Sequence, residues 1–163
     1  MLQYQIEKML DNDWEQVRSI YLEGIATGNA TFETDAPSWE SWDEGHSKTC
    51  RLVAKVEKNV LGWAALSPVS GRCIYAGVAD VSIYINHTNK GLGIGSALLR
   101  SIIDLSEKEG FWTLQAGIFP ANIPSLKIHK KEGFREVGIR ERIGKMNGVW
   151  RDVVFLERRN NIS

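Results

Sequence analysis

Several features that mark other classes of protein are scarce or missing in this 163-residue chain. Cys50 and Cys73 stand in no metal-ligand or C-x-x-C spacing, so we expect free thiols in a reducing compartment, although a bridge between them stays open. The 20 basic and 20 acidic residues cancel, which argues against nucleic acid and an anionic membrane as partners. No apolar run approaches the roughly 18 to 20 residues of a membrane span, and charge begins at Glu7, too early for a secretion signal. These absences predict a cytoplasmic protein, with a single domain over residues 1–163.

The chain does contain a regular succession of strand-like and helix-like segments. A strand over residues 4–9 is followed by a helix that Asp11 or Asn12 can cap, and Ser38 can cap a second, short helix. The remaining predictions are strands over 51–58, 60–66 and 74–85, a helix over 93–109, a strand over 113–118, a helix that stops at Gly133, and strands over 134–143 and 149–156 joined by Asn147-Gly148. This order predicts an α/β fold, a mixed sheet of about seven strands with four helices on both faces.

A glycine-rich loop lies between the strand that ends at Ile85 and the next helix. Glycine fills three of the five positions 91–95, so the chain can turn sharply and expose backbone N–H groups at a helix N-terminus. Such a loop is a ready anion site. The third glycine comes one residue early for a dinucleotide-binding G-x-G-x-x-G, and no Gly-Lys-Ser/Thr of a Walker loop follows. A turn that only reverses the chain remains an alternative.

The loop resembles the acyl-CoA pyrophosphate loop of the GNAT N-acetyltransferases, Q/R-x-x-G-x-G/A, with Lys90 where the family usually has Arg or Gln. A second motif, Asn122-x-x-Ser125-x-x-x-His129-x-x-x-Gly133-Phe134, is similar to the family's N-x-x-A-x-x-x-Y-x-x-x-G-F. The resemblance covers the whole chain and implies the GNAT acyl-CoA N-acyltransferase fold, acetyl-CoA as co-substrate and no metal. The cofactor-binding residues that follow from the loop and from the resemblance are Ile83, Tyr84, Ile85, Lys90, Gly91, Leu92, Gly93, Ile94, Gly95, Ser96, Asn122 and Lys131.

Shorter stretches resemble one branch of the family, the phosphinothricin and methionine sulfoximine acetyltransferases. They are Thr31-Phe32-Glu33, the strand over residues 80–85, His129 in place of Tyr, and Val149-Trp150-Arg151-Asp152-Val153, although Asp80 stands where that branch usually has Glu. The similarity implies acetyl transfer to the amine of a small amino-acid analogue. It also implies that Phe32, Glu33, Arg72 and Tyr75 meet the acceptor, where the planar fork of Arg72 would suit an oxyanion.

The chemistry requires a base, because a free amine is mostly protonated at neutral pH. Asp80 is the first candidate and Glu33 the second, and either could instead be an ordinary surface carboxylate. His129 could protonate the leaving thiolate when it is charged, or order a water when it is neutral. A covalent route through Cys73 has no visible activating base, so we expect direct attack in a ternary complex. Trp150 could close the acceptor pocket, but core packing is favoured.

Two other functions remain open from the sequence. The same chemistry could serve another small amine, such as a polyamine or an aminoglycoside. Alternatively, the chain could be a non-catalytic acyl-CoA-binding module. If the chain is an acetyltransferase, its partner is a small-molecule amine. The resemblance also allows a homodimer, because similar enzymes are commonly dimers.

Overall fold

The strands and helices follow the predicted order. The computed structural model describes residues 3–162. The strands are β1 (Gln5–Lys8), β2 (Arg51–Val56), β3 (Asn59–Pro68), β4 (Val78–Ile85), β5 (Thr113–Ile118), β6 (Arg135–Met146) and β7 (Val149–Arg159). The α-helices are α1 (Trp14–Ala26), α2 (Trp39–Gly45), α3 (Ile94–Lys108) and α4 (Ile123–Lys131). None of the helices within residues 3–162 has the length and apolarity needed to cross a membrane.

The seven strands form one sheet in the order β1-β2-β3-β4-β5-β7-β6. All neighbouring pairs are antiparallel except β4 and β5, which run parallel. The parallel ladder consists of only three pairs, from Val78 opposite Thr113 to Asp80 opposite Gln115. Beyond these pairs β4 continues along β3 and β5 continues along β7, so the two strands part. The gap opens at the carboxyl ends of the parallel pair, the end of a sheet at which α/β proteins commonly bind ligands.

Helices cover both faces of the sheet because each presents an apolar stripe to it. On α3, buried positions recur at helical spacing at Ile94, Leu98, Leu99, Ile102 and Ile103, and they pack on one face. The other face carries a smaller core under α1 and α2. Its buried members are Met9, Val17, Ile20, Trp42, Val53, Val60, Trp63 and Ala65. The mixed sheet with helices on both faces is therefore confirmed.

Two expectations about the first half of the chain are wrong. Asp13, rather than Asp11 or Asn12, is the N-cap residue of α1. Its side chain is nearly buried, and both carboxylate oxygens have partners. One oxygen lies 2.7 Å from Lys55 Nζ, and the other accepts from the backbone N–H of Leu10 at 2.8 Å. Strand β4 begins at Val78 instead of Ile74, since residues 73–75 form a 3-10 turn in which Ile74 is 67% exposed.

The last hairpin forms at the predicted turn but differs in its surface. Asn147 and Gly148 both have positive φ angles, 50° and 78°, as a two-residue type I′ turn requires. The expectation that Trp150 fills the core is wrong, because its side chain is 54% exposed and the Lys145 ammonium lies 5.5 Å from its ring centroid. Cys50 is buried and Cys73 exposed, and both are free thiols.

Candidate active site

A cavity of about 390 Å³ occupies the gap between β4 and β5. Residues 80–84 of β4 line one side and residues 116–118 of β5 the other. Residues 30–32 of the loop between α1 and α2 and the polar side chains Asn122, Ser125 and His129 complete the wall. The structure thus brings together Asp80, His129, Asn122 and Phe32, which the sequence proposed separately.

The open edge of β4 offers backbone hydrogen-bonding groups to the cavity. Asn86 N–H donates to Leu61 and Val78 C=O accepts from Val69, so these residues face β3. Backbone groups alternate sides along a strand, and the β3–β4 register is continuous. The N–H and C=O groups of Val81, Ile83 and Ile85 therefore point towards the gap, whereas those of Tyr84 face β3. Tyr84 reaches the cavity with its side chain instead.

Asp80 lies at the point where β4 and β5 part. Gln115, its partner across the ladder, donates from Nε2 to Asp80 Oδ1 at 3.0 Å. Burial raises the pKa of Asp80 above its ordinary value, and the hydrogen bond from Gln115 opposes this rise. The Gln115 contact was not predicted, because it depends on the register between two strands that are far apart in sequence. The pair gives the cavity a fixed carboxylate with increased basicity.

His129 is 4% exposed and faces the cavity from α4. Its Nδ1 lies 2.8 Å from the carbonyl oxygen of Ser125, one helical turn earlier, and its ring meets Phe134 edge-on at 5.1 Å. Because a carbonyl only accepts, Nδ1 carries the proton and Nε2 is left as an acceptor. Burial lowers the pKa of His129 below its ordinary value, and the Ser125 contact opposes this fall only in part. The ring is therefore neutral at neutral pH.

The glycine loop ends β4 and begins α3, beside the same gap. Gly91 and Gly93 have φ angles of 81° and 83°, which favour glycine, and Gly93 is the N-cap residue of α3. Gly95 has a different role: a Cβ there would lie 3.2 Å from Ile128 on α4, so glycine permits the close approach of the two helices. The first helical bond runs from Ala97 N–H to Gly93, which leaves the N–H groups of residues 94–96 available to an anion. Lys90 and Leu92 are exposed, and the side chain of Ile94 is buried in the core.

The loop between α1 and α2 is held across the cavity by Arg151, a residue for which no role was predicted. Arg151 on β7 donates to Gly28 C=O at 2.6 Å and to Asn29 Oδ1 at 3.0 Å, and its guanidinium carbon lies 4.0 Å from the Phe119 ring centroid. Asn122, the N-cap residue of α4, adds a bond from Nδ2 to Asn29 C=O at 3.3 Å. These contacts set the position of Phe32 and its neighbours.

Besides Ile85 and residues 90–96 of the glycine loop, which lie beside the cavity without lining it, four more predicted site residues lie outside it. Glu33 is exposed on the loop and is not part of the wall. Arg72 and Tyr75 are exposed at the 3-10 turn before β4, where the guanidinium carbon of Arg72 lies 5.9 Å from the Tyr75 ring centroid. Lys131 is exposed at the C-terminal end of α4. Within residues 3–162, no group of three or more His, Cys, Asp or Glu side chains is arranged to hold a metal ion.

A family model described as an acetyltransferase (GNAT) domain matches residues 6–155. The chain belongs to the GNAT acetyltransferase family. A Bacillus subtilis protein named as a candidate phosphinothricin acetyltransferase is 37% identical over 151 residues, 90% of this chain and 93% of that protein. The L-methionine sulfoximine/L-methionine sulfone acetyltransferase of Pseudomonas aeruginosa is 29% identical, over 89% of this chain and 88% of its own.

A solved structure of the family has the same fold. The phosphinothricin acetyltransferase of Sinorhizobium meliloti, determined in complex with acetyl-CoA, superposes with a TM-score of 0.86 at 27% identity, over 98% of this chain and 89% of its own. In this GNAT acetyltransferase, the parted strands, the glycine loop and the neutral His129 therefore form the candidate active site.

Proposed function

We propose that the protein transfers the acetyl group of acetyl-CoA to the α-amine of a small amino-acid analogue such as phosphinothricin, methionine sulfoximine or methionine sulfone. The names of its relatives support this acceptor class. The observation that carries the proposal is the gap between β4 and β5, because its cavity joins the open edge of β4 to the carboxylate of Asp80, and β4 leads directly into the glycine loop that begins α3.

The donor would lie along β4. The N–H groups of residues 94–96 and the Lys90 ammonium suit its pyrophosphate, and the inward-facing backbone of Ile83 and Ile85 suits the amides of its pantetheine arm. This arrangement would place the thioester near the inner end of the gap, close to Asp80. Lys131 stays a proposed contact for the adenosine phosphate, from the exposed end of α4.

Asp80 acts as the base in this proposal. It takes a proton from the acceptor ammonium, directly or through a water, and the free amine attacks the thioester carbonyl carbon to form a C–N bond. The backbone N–H of Val81 or Ile83 can stabilise the resulting oxyanion. The intermediate collapses as the C–S bond breaks, and the thiolate leaves. His129, being neutral, would hold at Nε2 a water that takes the second proton of the attacking nitrogen and passes a proton to the sulfur, which leaves a neutral amide and a thiol.

The outlying residues have weaker proposed roles. Glu33 would contact the acceptor from the loop beside the 390 Å³ cavity, and Arg72 and Tyr75 would need a binding surface that extends beyond that cavity. A homodimer could supply this surface, and the exposed apolar side chains of the β6–β7 hairpin, among them Ile139 and Trp150, are available for such a contact.

The exposed thiol of Cys73 favours a cytoplasmic location.

A thiol-release assay with acetyl-CoA and a panel of amines tests the proposal. We expect release with phosphinothricin, methionine sulfoximine or methionine sulfone. Asp80→Asn should lower kcat/KM by about 100-fold or more, the usual contribution of a general base. Asp104→Asn is the matched control, since Asp104 is exposed on α3. Binding of CoA without thiol release for any amine would instead identify a non-catalytic module.

A further inference from the structure

A second cavity, of about 540 Å³, adjoins the first on the face of the sheet that α1 and α2 cover. Three residues, Thr31, Ser82 and Tyr84, line both cavities. An acceptor whose amine lies near Asp80 therefore has space for its other end on this side of the sheet. The donor needs none of this volume, because the glycine loop and the open edge of β4 lie at the gap.

Aromatic and hydroxyl-bearing side chains both line the second cavity. The aromatic ones are Tyr21, Trp42, Trp63 and Tyr84, with the rings of Trp63 and Tyr84 stacked 5.0 Å apart. Thr31, Ser41 and Ser82 also line it, and a hydroxyl can donate to an occupant that carries acceptor atoms.

The charges around the cavity have one sign. Glu33 and Asp35 line it, whereas no Lys or Arg is among its lining residues in the described part of the chain. Asp35 accepts from the N–H of Ala36 at 2.8 Å, and no salt bridge to either acid is present within residues 3–162. The nearby cation Arg51 is already paired with Asp43 at 2.7 Å.

Histidine does not offset these two charges. His46 also lines the cavity, with its ring stacked on Trp42 at 4.1 Å and its Nδ1 2.7 Å from the Trp42 carbonyl oxygen. Burial lowers the pKa of His46, so its ring is neutral at neutral pH. The cavity thus combines aromatic side chains, hydroxyl groups and net negative charge.

We propose that the second cavity receives the side chain of the acceptor and that Glu33 and Asp35 make it select neutral side chains over anionic ones. This inference rests on the proposed function and narrows it. The side chain of methionine sulfone is uncharged and has acceptor oxygens, whereas the phosphinate of phosphinothricin carries a negative charge at neutral pH. Methionine sulfone is therefore the expected better acceptor.

The test compares kcat/KM for the two acceptors in the wild type, Asp35→Asn and the control Asp104→Asn. Removing one exposed charge several ångströms from the side chain should lower the preference for methionine sulfone about three-fold at low salt. The wild-type preference should shrink as salt is added, because both acids are exposed. Asp104→Asn should leave the preference unchanged. An unchanged preference in Asp35→Asn, or an equal change in the control, would overturn the inference.

Equilibrium binding separates failure of this inference from failure of the proposed function. Trp42 and Trp63 line the cavity, so quenching of tryptophan fluorescence reports binding of either amino acid without turnover. If neither amino acid is acetylated, the proposed function fails. The subsite would still be supported if methionine sulfone binds more tightly than phosphinothricin and if this difference is smaller in Asp35→Asn. Equal binding of both amino acids, or binding of neither, contradicts it.

Discussion

Replacing Arg151 by methionine should loosen the acceptor side of the site while leaving the donor side intact. The substitution removes two hydrogen bonds to the α1–α2 loop, at 2.6 Å to Gly28 and 3.0 Å to Asn29, and the cation–π contact with Phe119. Methionine keeps most of the apolar contact. A charged hydrogen bond contributes about 1.5 kcal/mol or less when partly exposed, and the cation–π contact about 0.5 kcal/mol. The free energy of unfolding should therefore fall by about 2 to 3 kcal/mol, and the Tm by roughly 4 to 10 °C.

Arg151→Met should raise the KM for the acceptor, because the α1–α2 loop lines both cavities. Residues 30–32 line the first cavity and residues 31, 33 and 35–37 the second, so binding the acceptor would first require the released loop to be ordered. If a tenth of the molecules hold the loop in place, the acceptor KM rises about ten-fold. The KM for acetyl-CoA should change by about two-fold or less, because Arg151 does not touch the glycine loop.

Arg158→Met is the matched control. Arg158 also lies on β7 and is comparably bonded, to Glu132 C=O at 3.1 Å, Glu107 at 3.3 Å and Asn160 at 2.6 Å, but it contacts neither cavity. It should lose similar stability without a change in acceptor KM. An acceptor KM that stays constant in Arg151→Met, or rises equally in Arg158→Met, would refute the reasoning.

Two further predictions concern the pH dependence of stability and the donor loop. Burial lowers the folded-state pKa of His129, so the unfolded chain takes up the proton first, and stability should fall as pH drops below about 6.5. His129→Phe should reduce the loss of stability between pH 7 and pH 5, measured by denaturant titration, and His46 accounts for the loss that remains. An equal loss of stability in the wild type and in His129→Phe would contradict this prediction. Gly93→Ala forces a side chain to φ 83° and should raise the KM for acetyl-CoA about five-fold, since the strain of roughly 1 kcal/mol falls on the donor loop. Gly148→Ala, at φ 78° in the distant hairpin turn, imposes similar strain and should not change that KM.

Local signals in the sequence were sufficient for the elements and for the donor loop. Strand β5 and the Ser38 cap were predicted at the observed residues, and the helix predicted over 93–109 matches α3 to within one residue at each end, because turn residues and periodicity act over a few positions. Asn122 and His129 face one cavity as their spacing of seven along a helix predicts. In each case the structure follows from residues that are close in the chain.

Contacts between segments that are distant in sequence could not be predicted from such local signals. Gln115 meets Asp80 through strand register, and Arg151 reaches Gly28 across 123 positions of sequence. The burial that makes His129 neutral depends on Phe134 and the surrounding core, not on the helix alone. Glu33 has the right chemistry for a base, yet the loop places it outside the first cavity. The acceptor half of the site is assembled from such contacts, which is why the sequence predicted it least well.

The same geometry favours the proposed direct attack over a covalent acetyl-enzyme. Cys50 is fully buried, which raises the pKa of its thiol, and Cys73 is exposed and outside the first cavity. Among the hydroxyl-bearing residues that line the cavity, Ser125 has its Oγ 3.5 Å from His129 Nδ1. That nitrogen already donates to the Ser125 carbonyl at 2.8 Å, so it cannot also accept the hydroxyl proton. This geometry supports the proposed direct attack, in which the carboxylate where the strands part deprotonates the acceptor amine and the amine itself is the nucleophile.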